Sequence, residues 1–428
     1  MKYFININYS NLQYSYLVIA ILLSFIVTTH AVSQVESYRE YSGKVVDKDT
    51  GNPLIFATIS IEGTNIATVT NTEGEFRLKV PKDKTDLNIL VSFIGHKSQI
   101  IPVNRLDKKR NKIRMEVHSV SLAEINVFPK DAELLIRAVI NRRKENYMQS
   151  TSLMTAFYRE TIKKRRTYAS LSEAVLQIYK QPYKSTNSDH VKLLKTRKSA
   201  DYNKLDTLVL KLMGGPFNTL ILDIMKNPNM IISYDAIEQY TFALDNITKI
   251  DNRLIYVLSF KQKEWIQEPL FYGKLYIDSK SLAVTRALFS INTEFKEQVS
   301  RLFIKKKPAG AKVYITNASY MVSYREKNGK WYYGYSRGEL TFKIDWTKKL
   351  FNTIYTAQFE LAVTDWQKAE PKSPIRPKDR MRMNVIMRDK ASGFSDKNFW
   401  GAYNVIEPEK PIENAIKKIR KNLDKIGE

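Results

Sequence analysis

Most hydrolytic and metal chemistry is built from histidine, cysteine and paired carboxylates, and this chain spreads them thinly. Its four histidines are His30, His96, His118 and His190. None sits in a His-Glu-x-x-His or His-x-x-Glu spacing, which would set two metal ligands on one side of an element. Cysteine is absent, which excludes disulfides, a thiolate nucleophile and a lipid-modified cysteine. No nucleophile elbow, phosphate loop or dinucleotide fingerprint stands out. No catalytic, cofactor-binding or metal-binding residues are therefore expected. An enzyme would have to be a hydrolase whose carboxylates meet only in the fold.

The charged pair most open to argument is Arg159, in Phe157-Tyr158-Arg159-Glu160, and Glu173, in Leu171-Ser172-Glu173-Ala174. Both segments read as strands, so the two side chains could meet across a ladder, and we expect a structural pair. His96 stands alone and is expected to be structural. Phe399, Trp400 and Tyr403 form an aromatic cluster near the end of the chain. Such rings stabilise most when buried, so we expect them to dock onto the β-rich domain.

The elements that would hold these residues are mainly strands. Between Tyr41 and Phe128 the strand-like stretches are Gly43–Asp47, Ala57–Ile61, Ala67–Thr70, Glu75–Val80, Asn88–Phe93 and Lys112–Glu116, with turn residues such as Asp49-Thr50-Gly51-Asn52-Pro53 between them. Short strands with frequent turns imply a sandwich. In Thr70-Asn71-Thr72-Glu73-Gly74-Glu75-Phe76 the Asn and Gly suit a tight left-handed turn that returns Phe76 to the core.

This unit resembles the carboxypeptidase regulatory-like domain, a seven-stranded transthyretin-like sandwich common in envelope proteins of Bacteroidota. The likeness runs in order through Gly43-Lys44-Val45-Val46-Asp47, Gly51-Asn52-Pro53-Leu54, Ala57-Thr58-Ile59, Glu62-Gly63-Thr64, Asn71-Thr72-Glu73-Gly74-Glu75-Phe76 and Ser92-Phe93-Ile94-Gly95-His96. His96 stands where that family usually has Tyr. The resemblance implies an accessory module for folding support or partner contact, and no peptidase activity.

A second unit, 129–365, opens with an amphipathic helix over Ala132–Tyr147 and two strands, Leu153–Ile162 and Arg166–Tyr179. A helical stretch over Lys204–Met225 follows, broken at Gly214-Gly215-Pro216 into two short helices. From Tyr240 the pattern becomes successive hairpins: Leu254–Phe260, Tyr272–Asp278, Leu282–Ser290, Val313–Arg325, Trp331–Tyr335, Leu340–Trp346 and Phe351–Asp365. Asn328-Gly329 is their strongest turn signal. The fold class is mostly β with α (α+β), a β-sandwich followed by a large antiparallel meander with covering helices. Gly273-Lys274-Leu275-Tyr276-Ile277-Asp278 with Leu282-Ala283-Val284 is similar to the hairpin of periplasmic lipoprotein-carrier folds, which implies a curved sheet able to enclose an apolar ligand. Residues 366–428 read as an extended basic segment and a final amphipathic helix over Ile412–Ile426. The sandwich and the later domain have separate strand patterns, and each is expected to fold without the other.

Residues 1–33 have the form of a signal peptide: Lys2, an apolar run over Leu17–Thr29, and small residues at Ala31 and Ser33. The mature chain should start at Gln34, in the periplasm or on the periplasmic face of the outer membrane. Export makes nucleic acid an unexpected partner for a net charge of +25. Lipid headgroups and other anionic envelope components remain, but basic residues are spread along the chain, which favours a generally basic surface. The expectation is a non-enzymatic envelope binding or scaffold protein whose first module contacts a protein partner. A periplasmic carrier of a lipid or other apolar ligand is the alternative.

Overall fold

The computed structural model describes residues 37–118, 131–200, 213–250, 253–304, 310–347, 352–390, 399–409 and 412. The segments expected to be a signal peptide, a first short helix before Gly214 and a C-terminal helix beyond Ile412 lie outside these residues.

The first part is a sandwich of two sheets. One contains β1 (Tyr38–Asp47), β4 (Glu75–Pro81) and β7 (Asn111–Met115) in the order β4-β1-β7, with β1 and β7 parallel. The other contains β2 (Thr58–Ile61), β3 (Ala67–Val69), β5 (Asn88–Ser92) and β6 (Gln99–Pro102) in the order β3-β2-β5-β6. The sequence pattern lacked β6, whose Ile100 points to solvent. Alternation explains the layering: Phe76, Leu78 and Val80 of β4 point inward to meet Ile59, Ile89 and Val91. The turn before β4 forms as its residues suggest. Asn71 Oδ1 accepts from the backbone N–H groups of Glu73 and Glu75, both at 2.9 Å. Gly74 is at φ +75°, where a Cβ would meet Val45 O at 2.7 Å.

The second part is one antiparallel sheet of ten strands, in the order β10-β9-β8-β17-β16-β15-β14-β13-β12-β11. These are β8 (Ser152–Lys164), β9 (Thr167–Lys180), β10 (His190–Ala200), β11 (Tyr240–Ile250), β12 (Arg253–Gln262), β13 (Phe271–Asp278), β14 (Val284–Ile291), β15 (Ala311–Lys327), β16 (Lys330–Trp346) and β17 (Thr353–Lys368). At the β15–β16 turn Asn328 and Gly329 both have positive φ, 54° and 74°, matching the right-handed twist of a two-residue hairpin. The stretches Trp331–Tyr335 and Leu340–Trp346, read from sequence as two strands, are one strand, β16. Gly338 continues the ladder, and its missing side chain leaves room for the ring of Phe359.

One face of this sheet is covered by α1 (Ala132–Asn146) and by residues 217–237. Asp131 caps α1, its Oδ1 accepting from Glu133 N at 2.8 Å and Leu134 N at 3.1 Å. Leu135, Ile136 and Val139 then pack with Leu222, Ile224, Met225, Ile231 and Ile232 over the strands in one continuous core. The expected helix up to Met225 is a single turn, α2 (Phe217–Leu220). Asn227 Nδ2 donates to the carbonyls of Leu220, Ile221 and Asp223, which a longer helix would need for itself. Short helices α3 (Tyr234–Ile237), α4 (Lys296–Phe303) and α5 (Met387–Lys390) complete the described set.

The opposite face carries the sandwich and a strap, residues 399–409. Asn404 acts as a side-chain strand partner for β4: its Oδ1 accepts from Lys79 N at 2.7 Å and its Nδ2 donates to Lys79 O at 3.1 Å. Arg77 grips Glu407 with two bonds, and Thr68 and Asn71 donate to strap carbonyls. Trp400, Val405 and Ile406 are buried with Val69 of the sandwich and Phe157, Val175 and Tyr335 of the large sheet. The aromatic cluster near the end of the chain is thus docked, with Trp400 meeting Phe157 edge-on at 5.5 Å. The sheets form separate ladders, but Gly95 N donates to Lys249 O at 2.7 Å and Asn65 Nδ2 to Trp366 O at 2.6 Å between them, and their apolar faces share this cluster. Trp400→Ala is expected to lower stability by about 3–5 kcal/mol in urea unfolding, the usual loss for a large buried aromatic.

Candidate binding groove

On the strap-covered face the strand registers place one residue from each of five neighbouring strands in a row. Arg197 on β10 stands opposite Glu173, Glu173 opposite Arg159, Arg159 opposite Glu360, and Glu360 opposite Arg337. The signs alternate across the row. Glu173, fully buried, receives Arg159 Nε on one oxygen at 2.8 Å and Arg197 Nε on the other at 2.6 Å. Arg159 Nη1 lies 3.4 Å from Glu360 Oε1, while Tyr335 donates to Glu360 Oε2 at 2.8 Å. Burial pushes the Glu173 carboxyl up, but Arg159 and Arg197 outweigh it and hold it below its ordinary value. Burial likewise opposes the Arg159 charge, and Glu173 and Glu360 more than restore it.

The expected pairing of Arg159 with Glu173 is therefore present, within a longer network. Arg197, Glu360 and Arg337 carried no sequence signal that would join them to it. Beyond the row itself, Glu409 of the strap and Glu339, 3.6 Å from Arg337 Nη2, set further anions beside its cations, and Arg159 spends its remaining donors on the strap, with Nη2 2.7 Å from Ile406 O.

Past Arg337 the same register row continues through Met321 on β15, Leu288 on β14 and Lys274 on β13. Here the face is open. A depression of about 630 Å³ lies over β12–β16, its surface mostly apolar, with Leu288, Met321 and Tyr272 on the floor and Ser259, Ser290 and Ser319 between them. Lys261, Lys274, Arg337 and Glu339 stand around it. Its wall on the sandwich side is Phe56, which stacks on Tyr335 at 5.3 Å beneath the Arg337 guanidinium, 5.2 Å from the ring centre. Phe56 has φ +62°, a left-handed conformation uncommon for a large side chain.

A second polar cluster lies under the helical cover. Lys180 Nζ is 2.8 Å from Asp189 Oδ2 and 2.9 Å from Asp223 Oδ2, and Tyr324 donates to Asp223 Oδ1 at 2.9 Å. Lys180 and Asp223 are both closed to solvent, so this cluster ties the covering loops to the sheet and presents no reacting group. The spacing Gly-x-Ser-x-Gly does occur, at Gly334-Tyr335-Ser336-Arg337-Gly338, within a segment whose sequence pattern is that of a strand. It lies inside β16 with no strand-to-helix turn, and the buried Ser336 hydroxyl donates to Thr219 O at 3.0 Å. His96 is a buried partner of Asp47, Nε2 to Oδ2 at 2.9 Å. Among the described residues no three His, Asp or Glu side chains gather as a metal site requires.

Residues 41–127 match the family model of the CarboxypepD_reg-like domain, a match that covers the sandwich. No curated protein matches the chain. Among solved structures, a DUF1329 family protein from Desulfovibrio piger is similar over 56% of this chain and 95% of its own, at 11% identity and a TM-score of 0.23. A putative outer membrane lipoprotein-sorting protein domain from Vibrio parahaemolyticus is similar over 57% and 96%, at 13% identity and 0.25. A LolA superfamily protein from Nitrosomonas europaea is similar over 55% and 94%, at 8% identity and 0.19. Scores this low do not define a shared fold.

Removing Glu173 takes from the Arg159 and Arg197 guanidinium groups the buried carboxylate that they share. Glu173→Ala should lower stability by about 3–5 kcal/mol in urea unfolding. The Glu173 contribution should be whole above the ordinary carboxyl value of 4.5 and lost as pH falls through its lower folded value. Unfolding curves of wild type and Glu173→Ala should therefore converge on acidification.

Proposed function

We propose that this chain is a non-catalytic binding protein of the bacterial cell envelope that holds an apolar chain in the groove beside Phe56. The observation that carries the reading is the groove itself. Its volume of about 630 Å³ lies within the roughly 300–1,000 Å³ of ligand sites, and apolar lining with a few polar groups is their usual composition. Leu288 and Tyr272 are exposed on its floor, an arrangement that an apolar occupant would stabilise by removing them from water. The space sought by the carrier reading lies on the sandwich side of the sheet. On the helical side, where the sequence pointed, Leu135, Ile136, Val139, Ile224 and Ile231 fill the core.

A hydrolase of the glycoside type would need two facing carboxylates in a polar cleft. Glu339 is the one carboxylate in the groove lining, and Gln358 Nε2 donates to it at 2.6 Å. The signal-peptide-like pattern of residues 1–33 supports the envelope setting. No described helix is long and apolar enough to cross a membrane. For the sandwich we propose contact with an envelope protein partner. The strap already engages β3 and β4, so strand addition by such a partner would fall to β6 or β7.

The test uses the full mature chain purified from its native envelope. Organic extraction should release apolar ligand at about one per protein, and Ser290→Trp, which fills the groove from a half-buried position, should abolish the release while the unfolding midpoint stays unchanged. Equal ligand in wild type and Ser290→Trp would remove the groove as the binding place.

A further inference from the structure

Cations around the groove are nearly all answered. Arg159 and Arg197 share Glu173, Arg337 lies 3.6 Å from Glu339 and 4.0 Å from Glu360, and Lys274 lies 2.8 Å from Asp245. Lys261 is exposed, so water serves its charge. Arg286 is the exception. The alternation of β14 sets it on the groove face with Leu288 and Ser290, and its guanidinium makes no hydrogen bond or ion pair among the described residues.

Water does not simply take the place of that partner. Arg286 is partly buried, and the ring centre of Phe93, on the sandwich, lies 5.8 Å from its Cζ. Burial opposes its charge and lowers its pKa; the groups that counter this are the Tyr276 and Tyr335 hydroxyls, with no carboxylate among them. Arginine stays protonated all the same, so the fold keeps a cation whose rigid fork of N–H donors meets only an aromatic face. Such a group is costly until an anion meets it.

Register places Arg286 directly behind the groove floor. Tyr335, Ser323, Arg286 and Tyr276 form one row across β16–β13, and Arg337, Met321, Leu288 and Lys274 form the next. Successive rows on one face are two residues apart, about 6.5–7 Å along the strand. A head group at Arg286 therefore leaves its chain over Leu288 and Met321. Ser323 and Tyr276 flank Arg286 in the ladder, and their hydroxyls can donate to an anion. A neutral apolar ligand would cover the floor and leave the guanidinium unanswered, whereas an acidic one satisfies both.

We propose that the occupant of the groove is an amphiphile with an anionic head, a carboxylate or a phosphate monoester, held by Arg286 with its apolar chain over Leu288 and Met321. This rests on the reading of the groove as an apolar binding site and names the ligand class that the site selects.

The experiment is calorimetric titration of the full mature chain, stripped of bound lipid, with decanoate, decyl phosphate and decanol, each below the concentration at which it aggregates. At least one of the two anions should bind on the order of tenfold tighter than decanol, and the tighter one identifies the head. Arg286→Met should remove that advantage while decanol binds as it does to wild type. Arg286→Lys, which keeps a point charge without the fork, should retain part of it. Arg286→Gln replaces Arg286→Met if that variant misfolds. Equal affinity for all three probes, with decanol binding lost in Ser290→Trp, would overturn the anionic head and leave the groove reading standing. An anion advantage that survives Arg286→Met would also overturn the proposal, as would a loss of anions and decanol alike, the mark of a structural arginine. No binding of any probe would remove the groove reading with it.

Discussion

Five charged side chains in a row on a buried sheet face constrain almost everything around them. Arg197, Glu173, Arg159, Glu360 and Arg337 come from five strands, and the closest contacts among them leave little room for a shift. A slip of one residue would turn each strand's charges to the apolar core under the helices, and a slip of two would break the alternation of sign. Buried ion pairs add little net stability over apolar packing, because desolvation offsets most of the attraction. Their effect is on uniqueness: this register satisfies the charges and its neighbours do not.

A charged row also dictates its cover. Apolar side chains alone would leave Arg159 with unsatisfied donors, and the strap offers main-chain carbonyls at Ile406 and Glu407 instead. Its other side meets the sandwich through Asn404 and Glu407, so one short segment answers the donors of both sheets. Trp400 and Ile406 then seal the join with apolar area. Where the charged row ends, beyond Arg337, the open apolar floor of Met321 and Leu288 begins, while the sandwich meets the sheet again at Arg286 and Lys249 through Phe93 and Gly95. The groove is the uncovered continuation of the same face, with Phe56 marking the boundary.

Local features were legible in the sequence and non-local ones were not. The Asn71–Gly74 turn, the Asn328-Gly329 hairpin and the Arg159–Glu173 pair all depend on neighbours within one or two strands, and parity or turn chemistry reveals them. Glu360 meets Arg159 only because β17 returns to pair with β8, a register no local pattern encodes. Strands β10 and β11 escaped notice because each carries a bulge, at Leu193/Lys195 and Leu244/Asn246, that breaks the apolar alternation. In β11 the interruption is Asp245-Asn246, which reads as a turn.

If the row and its strap join the sandwich to the large sheet, the two should unfold together. Scanning calorimetry of the mature chain tests this most directly. One transition is predicted, with calorimetric and van't Hoff enthalpies equal, in wild type. Two resolved transitions, one for each hydrogen-bonded part, would contradict the account.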